Sequence, residues 1–309
     1  MPSDRKSFFH KQKHLIFPDK LEIIRDFFRE KKVKEVFTPA LSSFAPTDPA
    51  IQPLRAVSAE TTRNETPLFL ATSPEFRMKE LLCRGSGDIY QICRAFRADE
   101  YGPMHSPDFL ILEWYRTGFD EHAMMHETEE FIKTVLPEKY SEIFERVKYQ
   151  DLFLQFSETD PFGPPAHIRE CAKDHGLFPV PDSVDTCLDF IMSSVIQPEL
   201  KKSGRNIFIH DYPPSQAALA EINHDTEPAT AARFELLING VEICNGYREL
   251  REPGEYQRRF LNDNIKREEQ NMPTVPIDIE FLDTLSEDPL PACSGNALGL
   301  DRLILTLDI

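Results

Sequence analysis

An α+β fold, one antiparallel sheet flanked by helices, is the architecture that this 309-residue chain predicts. Three observations carry that prediction. β-rich segments come in adjacent pairs, Ile89 to Arg97 with Phe109 to Arg116 and a second pair around Asn239-Gly240, as antiparallel hairpins do. Helical stretches stand before and between these pairs without the regular strand and helix alternation of a parallel sheet. No segment repeats at a fixed period and none is of low complexity. A single domain over residues 1–309 is therefore expected, and a chain of this size buries roughly three quarters of its unfolded surface.

The first helix is read over Lys20 to Lys32, where Leu21, Ile24, Phe27 and Phe28 form one stripe behind a Pro18-Asp19 start. Val33 to Thr38 reads as a strand ended by Pro39, Thr61 to Glu65 as a polar connection, and Leu68 to Thr72 as a short strand. A helix begins at Glu75, with Ser73 as its cap and Pro74 at its first position. The pair Ile89 to Arg97 and Phe109 to Arg116 is a hairpin with a long polar loop holding Gly102, Pro103 and Pro107. Glu121 to Leu136 is helical, and the proline-bearing stretch beyond it to Lys202 completes a mostly helical insertion at about residues 120–205 that tells little of chemistry. Ile207 to Tyr212 returns to strand ahead of PPSQAALA, and a last helix starts near Leu300.

The net charge of −17 and pI near 5.0 argue against a broad phosphate-binding surface, because nucleic-acid affinity rests on Lys and Arg neutralising phosphates. A local basic site remains compatible. The six cysteines, Cys83, Cys93, Cys171, Cys187, Cys244 and Cys293, form no CxxC pair and read as buried free thiols of a reduced compartment. The basic N-terminus lacks an apolar run of signal length and no later stretch would span a bilayer, so a soluble cytoplasmic protein is expected.

Alternation puts Gln91, Cys93, Ala95 and Arg97 on one face of the first hairpin strand and Ile111, Glu113 and Tyr115 on one face of the second. A guanidinium beside a carboxylate and a phenol suits a ligand with both phosphate and ammonium groups. A solvated hairpin face fits equally well. In the second hairpin, an Asn239-Gly240 type I′ turn pairs Leu237 with Glu242 and Glu235 with Cys244. Glu235 and Glu242 are then diagonal neighbours within about 7–8 Å, where two like charges suggest a cation such as Mg²⁺ on oxygen ligands; by themselves, glutamates more commonly line a solvated sheet face. Glu249 faces away by strict alternation, and Gly246 offers a bulge that turns it back.

Four segments in order add a resemblance. FRADE, HSPDF and LEWY within Cys93 to Tyr115 resemble motif 2 of the class II aminoacyl-tRNA synthetases of the lysyl branch. FELLINGVEICNGYREL, from Phe234 to Leu250, resembles that branch's acidic hairpin; CSGNALGLDRL, from Cys293 to Leu303, is similar to motif 3; and VFTP at Val36 to Pro39 is similar to the dimerising motif 1. The resemblance implies a class II synthetase-like catalytic domain that forms an adenylate from ATP and a carboxylic acid with Mg²⁺ bound. Its residue roles carry over as follows: Arg97 and Arg302 catalytic; Arg97, Asp99, Ser106, Glu242, Ile243, Gly299 and Arg302 for ATP; Ser73, Glu75, Tyr115, Glu249 and Ala297 for the substrate; Glu235 and Glu242 for the metal. Gly295 and Gly299 would let backbone approach the adenosine, and His105 would reach the terminal phosphate.

The branch's tRNA enzymes carry an anticodon-binding module before motif 1, and here motif 1 begins almost at once. PPSQAALA and Ala297, where the tRNA enzymes have glycine, are more similar to freestanding paralogues that adenylate (R)-β-lysine and pass it to a lysine of elongation factor P. That resemblance implies a homodimer, elongation factor P as protein substrate, (R)-β-lysine or lysine as the activated acid, and no stable tRNA binding. Ala98-Asp99 and HSPDF depart from the family's usual Asn-Glu and HNPEF. A truncated tRNA synthetase, a small-molecule adenylating ligase and a noncatalytic paralogue stay open as alternatives.

Overall fold

The computed structural model describes residues 18–57, 68–98, 100–102 and 106–306. Helix α1 (Pro18–Glu30) buries the stripe the sequence marks, Ile24, Phe27 and Phe28, with Phe28 stacked on Tyr90 and edge-on to Trp114. The strand expected at Val33 to Thr38 is shorter, β1 (Lys34–Glu35), because the chain leaves its parallel partner after Val36 N bonds Tyr90 O. A small sheet follows, built from β2 (Leu41–Ser42), β3 (Arg55–Ala56) and β4 (Leu68–Leu70) in the order β2-β4-β3.

Helix α2 (Glu75–Cys83) starts where expected but without the expected cap. Pro74 takes the capping position, and the Ser73 hydroxyl accepts only from Glu75 N at 3.4 Å. The motif hairpin is β5 (Ile89–Phe96) and β6 (Asp108–Thr117), with Gln91 opposite Glu113 and Cys93 opposite Ile111. Helix α3 (Glu121–Val135) is capped by Asp120, which accepts from Ala123 N, and it packs on the sheet's apolar face through Met124, Met125 and Phe131. It thus belongs to the main core.

The rest of the stretch to Ser203 holds β7 (Glu145–Lys148), α4 (Tyr149–Ser157), α5 (Pro165–Asp174), α6 (Val184–Ile191), a π-turn at Met192–Ile196 and α7 (Gln197–Ser203). These enclose a second core around Phe153, Leu188 and Ile196, and β7 joins the main sheet parallel to β8 (Asn206–Tyr212). After β9 (Ile222–Asn223) come β10 (Thr230–Ile238), β11 (Val241–Arg248), α8 (Pro253–Glu269), α9 (Ile279–Glu287), β12 (Cys293–Gly299) and α10 (Leu300–Leu305).

Among the described residues the main sheet has nine strands in the order β1-β5-β6-β12-β11-β10-β8-β7, with β9 paired to β10. Its interior from β5 to β8 is antiparallel throughout. One face is apolar, with Leu112, Trp114, Phe234, Leu236 and Leu298 under α1 and α3. The other carries Glu113, Tyr115, Ala297, Asn245 and Glu235 and opens on a cavity. Among the described residues no helix is long and apolar enough to cross a membrane.

Candidate active site

A type I′ turn is present at Asn239-Gly240, both residues having positive φ, and Leu237 pairs with Glu242 as the sequence predicts. The next pair differs. A register shift makes Ile243 the extra residue, so Leu236 faces Cys244 and Glu235 faces Asn245 rather than Cys244. The bulge thus lies three residues before Gly246. It turns Asn245, Tyr247 and Glu249 onto the face that bears Glu235 and Glu242. Gly246 has a packing role instead: a Cβ there would stand 2.3 Å from the Phe234 ring.

Two rows of side chains run across the cavity face. Glu113, Ala297, Asn245 and Glu235 form one, and Tyr115, Gly295, Tyr247 and Arg233 the next. The cavity over them measures about 2170 Å³. It exceeds the roughly 300–1,000 Å³ of most small-molecule pockets, leaving space beside any adenylate.

At one end lies an acidic pocket. The Tyr115 hydroxyl donates to Glu113 Oε1 at 2.6 Å, and Glu113 Oε2 has no hydrogen-bond partner among the described residues. Glu75, at the first turn of α2, and Glu249, just past β11, are bridged by the fully buried Lys79, whose Nζ lies 2.7 Å from each. Lys79 also donates to Tyr256 Oη at 3.2 Å. Glu249 Oε1 and the Tyr115 ring close over Gly295, where a Cβ would stand 2.3 and 2.4 Å from them. Gly295 therefore makes room for Glu249 and Tyr115. Burial, and then the charge of Glu75, raise the Glu113 carboxyl to about 8. Burial also raises Glu249, to about 7, against the pull of Lys79. Burial opposes the Lys79 charge, but Glu249 and Glu75 outweigh it and hold the ammonium well above its ordinary range.

At the other end two arginines converge. Arg97, just past β5, donates Nε to Thr72 O at 3.4 Å, lies over the Phe109 ring, and stands 3.7 Å from Glu100. Arg302, on α10, donates to Glu242 O at 3.3 Å and to Glu100 Oε2 at 3.4 Å. One carboxylate thus sits between both guanidiniums, as a phosphate would. Ser106, Ile243 and Gly299 line the same end, as Ser73 and Ala297 line the space between the ends. Arg94 is a half-exposed charge paired with Asp108. Asp99 and His105 lie outside the described residues.

The expected cation between Glu235 and Glu242 is in part supplied by the protein. Arg233 pairs with Glu235 through Nη2 and donates Nε to Asn245 Oδ1 at 3.3 Å, and Arg302 stands 3.6 Å from Glu242. Charge repulsion alone therefore does not demand a metal here. The donor chemistry still fits Mg²⁺, which takes one or two carboxylates together with substrate phosphates, and the Glu242 side chain is 40 % exposed to the cavity. Among the described residues no group of three His, Cys, Asp or Glu is arranged to hold a metal unaided, so the ion would be shared with a nucleotide.

Sequence reasoning missed Lys79 and Arg233; it set Glu113 on the cavity face beside Tyr115, as the structure has it. Glu75 and Lys79 are spaced as an ordinary solvated i,i+4 helix pair, so only burial distinguishes them. The insertion also contributes more than expected, since Asp189 and Met192 line the cavity. Gln216 of PPSQAALA donates to Asp189 at 2.8 Å and takes a bond from Arg233 on its carbonyl at 2.6 Å. That link ties the insertion to Glu235.

The family described as tRNA synthetases class II (D, K and N) matches residues 10–308. The chain belongs to that family. Within it, the chain is 40 % identical over 294 residues to the elongation factor P--(R)-beta-lysine ligase of Vibrio atlanticus, covering 93 % of this chain and 88 % of that protein. It is also 40 % identical to the proteins of the same name from Photobacterium profundum, over 293 residues, and Vibrio cholerae, over 290 residues, each match covering 92 % of this chain and 88 % of the relative.

Proposed function

We propose that this protein is an ATP-dependent ligase that adenylates (R)-β-lysine, or lysine, and transfers it to a lysine side chain of elongation factor P. The observation that carries this reading is the polarity of one sheet face, with Arg97 and Arg302 at one end and the Glu75, Glu113 and Glu249 carboxylates at the other. Carboxylates and phenols accept from ammonium groups, and guanidiniums take phosphate. The identity of acid and acceptor follows the relatives' name.

In this reading the amino acid's ammonium groups enter the acidic pocket and its carboxylate points toward Arg97. A carboxylate oxygen attacks the α-phosphorus of ATP, an acyl–phosphate bond forms and the bond to pyrophosphate breaks. Positioning and charge neutralisation dominate such a step, so Arg97 is assigned the charge developing at the α-phosphate and Arg302 the nucleotide. Glu235 and Glu242 would hold Mg²⁺, which supplies further neutralisation of the phosphates. The acceptor lysine amine then attacks the acyl carbon, AMP leaves, and an amide results. Ala297, between Glu113 and Asn245, narrows the pocket beside the substrate backbone and favours the β-amino isomer.

A homodimer through the region of Pro39 is supported by the apolar surface there, including Phe37 at 78 % exposure with Leu41, Val57 and Leu68. Light scattering should give twice 35.6 kDa; a monomer at micromolar concentration would refute it. An acceptor that works in translation puts the enzyme in the cytoplasm. The deciding experiment is ATP–pyrophosphate exchange with (R)-β-lysine, α-lysine or no amino acid, followed by mass spectrometry of elongation factor P and of lysine tRNA incubated with enzyme and ATP. Exchange favouring (R)-β-lysine and a mass gain on the protein are expected. Absence of exchange, or a gain on the tRNA alone, overturns the reading.

A further inference from the structure

Lys79 is an ammonium group with no exposure to water, enclosed by Glu75 from its own helix, Glu249 from beyond β11 and Tyr256 from α8, with Glu113 and Tyr115 of β6 across the pocket. Such a group is expensive to bury. The neighbouring core, Met78, Phe260 and Phe281, would accept an apolar side chain in its place, whereas loss of the ammonium would leave the buried Glu249 charge uncompensated. Packing alone therefore does not explain a lysine here.

Its electrostatic effect does. Three carboxylates, Glu75, Glu113 and Glu249, meet in this pocket, and with no cation they would keep one another protonated, since like charges in a dry site cannot all ionise. A protonated carboxyl is a poor partner for an ammonium ion. One fixed ammonium against three carboxylates leaves a net charge of −2 when all are ionised.

We propose that Lys79 is a positioning and specificity-determining residue: it holds Glu75 and Glu249 in place and leaves the pocket the charge of two free carboxylates, the complement of a substrate with two ammonium groups. Lys79 acts in this way only if the pocket is the amino-acid site, the reading proposed above. A monoammonium amino acid of the same length leaves one carboxylate charge unmatched. The pocket therefore selects by charge count as well as by shape. The direction in which Lys79 moves Glu249, downward against burial, agrees.

The test is calorimetric binding of lysine, (R)-β-lysine and norleucine to the full-length protein between pH 6 and 9. Lys79→Met should weaken binding of the two diamino acids by about tenfold at pH 7, one unit of carboxyl pKa, and recover most of it by pH 9, with ATP affinity unchanged. Lys79→Arg should keep the wild-type pH profile. A folded Lys79→Met protein with wild-type affinity at every pH, or with the same loss at every pH, overturns the assignment. If Lys79→Met does not fold, Lys79→Gln, which keeps a hydrogen-bond donor but no charge, is read instead and should show the same loss at pH 7 and recovery by pH 9. A Lys79→Gln protein that also fails to fold makes Lys79 structural and overturns the assignment. Wild-type protein that binds neither diamino acid overturns the amino-acid reading and this assignment together.

Discussion

Tyr115 donates its hydroxyl to Glu113 across 2.6 Å, leaving the second oxygen of that buried carboxyl open. The phenol orients the acid and its own ionisation is pushed up, first by burial and then by the charge of Glu113. Much of the site's pH behaviour should follow from this pair and from Glu249.

Binding of the amino acid should strengthen as pH rises from about 6 to about 8, because Glu113 and Glu249 have carboxyl pKa values raised to about 8 and about 7 and must lose their protons to pair with ammonium. KM for (R)-β-lysine measured at fixed ATP should fall by about tenfold across that range, one pKa unit's worth. Glu113→Gln should remove the upper part of the curve. A KM independent of pH would contradict it.

Stability of the ligand-free protein should show the opposite trend. Raised carboxyl pKa values mean that the folded chain binds more protons than the unfolded one between the ordinary value of 4.5 and about 8, so stability present at pH 4.5 is lost as pH rises through 7 to 8. Calorimetric Tm should therefore decline from pH 5 to pH 8, and saturating lysine should shrink the decline. A Tm that climbs over this interval would count against buried, ionisable acids in the pocket.

Arg97→Ala should lower pyrophosphate exchange by about a hundredfold to a thousandfold, the usual cost of losing one preorganised donor to a developing charge. Its weak contacts, 3.4 Å to Thr72 O and 3.7 Å to Glu100, imply little effect on folding. A variant that unfolds while its folded fraction keeps full activity would make Arg97 structural.

Ala297→Gly should move the preference from (R)-β-lysine toward α-lysine, within the about 1–3 kcal/mol that one methyl can discriminate. The ratio of kcat/KM for the two acids is the readout, and an unchanged ratio would remove the steric account. Gly295→Ala should act differently and abolish amino-acid binding while ATP still binds, because its methyl would occupy the positions of Glu249 Oε1 and the Tyr115 ring. Equilibrium dialysis with each ligand separates the two outcomes.

Local patterns made most of the elements legible. The α1 stripe, the helix read over Glu121 to Leu136 and the Asn239-Gly240 turn all rest on short-range signals, and the structure bears them out. What escaped depends on partners far apart in sequence. Lys79 reads as a surface helix lysine until Glu249, 170 residues away, and Tyr256, 177 residues away, enclose it. Arg233 reads as an alternating strand charge until Gln216, Asn245 and Glu235 surround it. The sequence points to a bulge at the glycine, which has the backbone freedom, but Gly246 is needed where Phe234 leaves no room for a side chain, and the irregularity falls on Ile243, three residues earlier.

The extra residue at Ile243 works as a phase shift in β11. Upstream of it the strand counts its faces from the turn; downstream it counts from β12, where Asn245 meets Ala297 and Tyr247 meets Gly295. Were β11 to alternate strictly with Ile243 in place, Asn245, Tyr247 and Glu249 would turn into the apolar layer and Cys244, Gly246 and Arg248 would come to the cavity. The Glu235–Glu242 pair and the pocket of Glu249 are thus joined by parity, and a frame of one residue keeps them on one face.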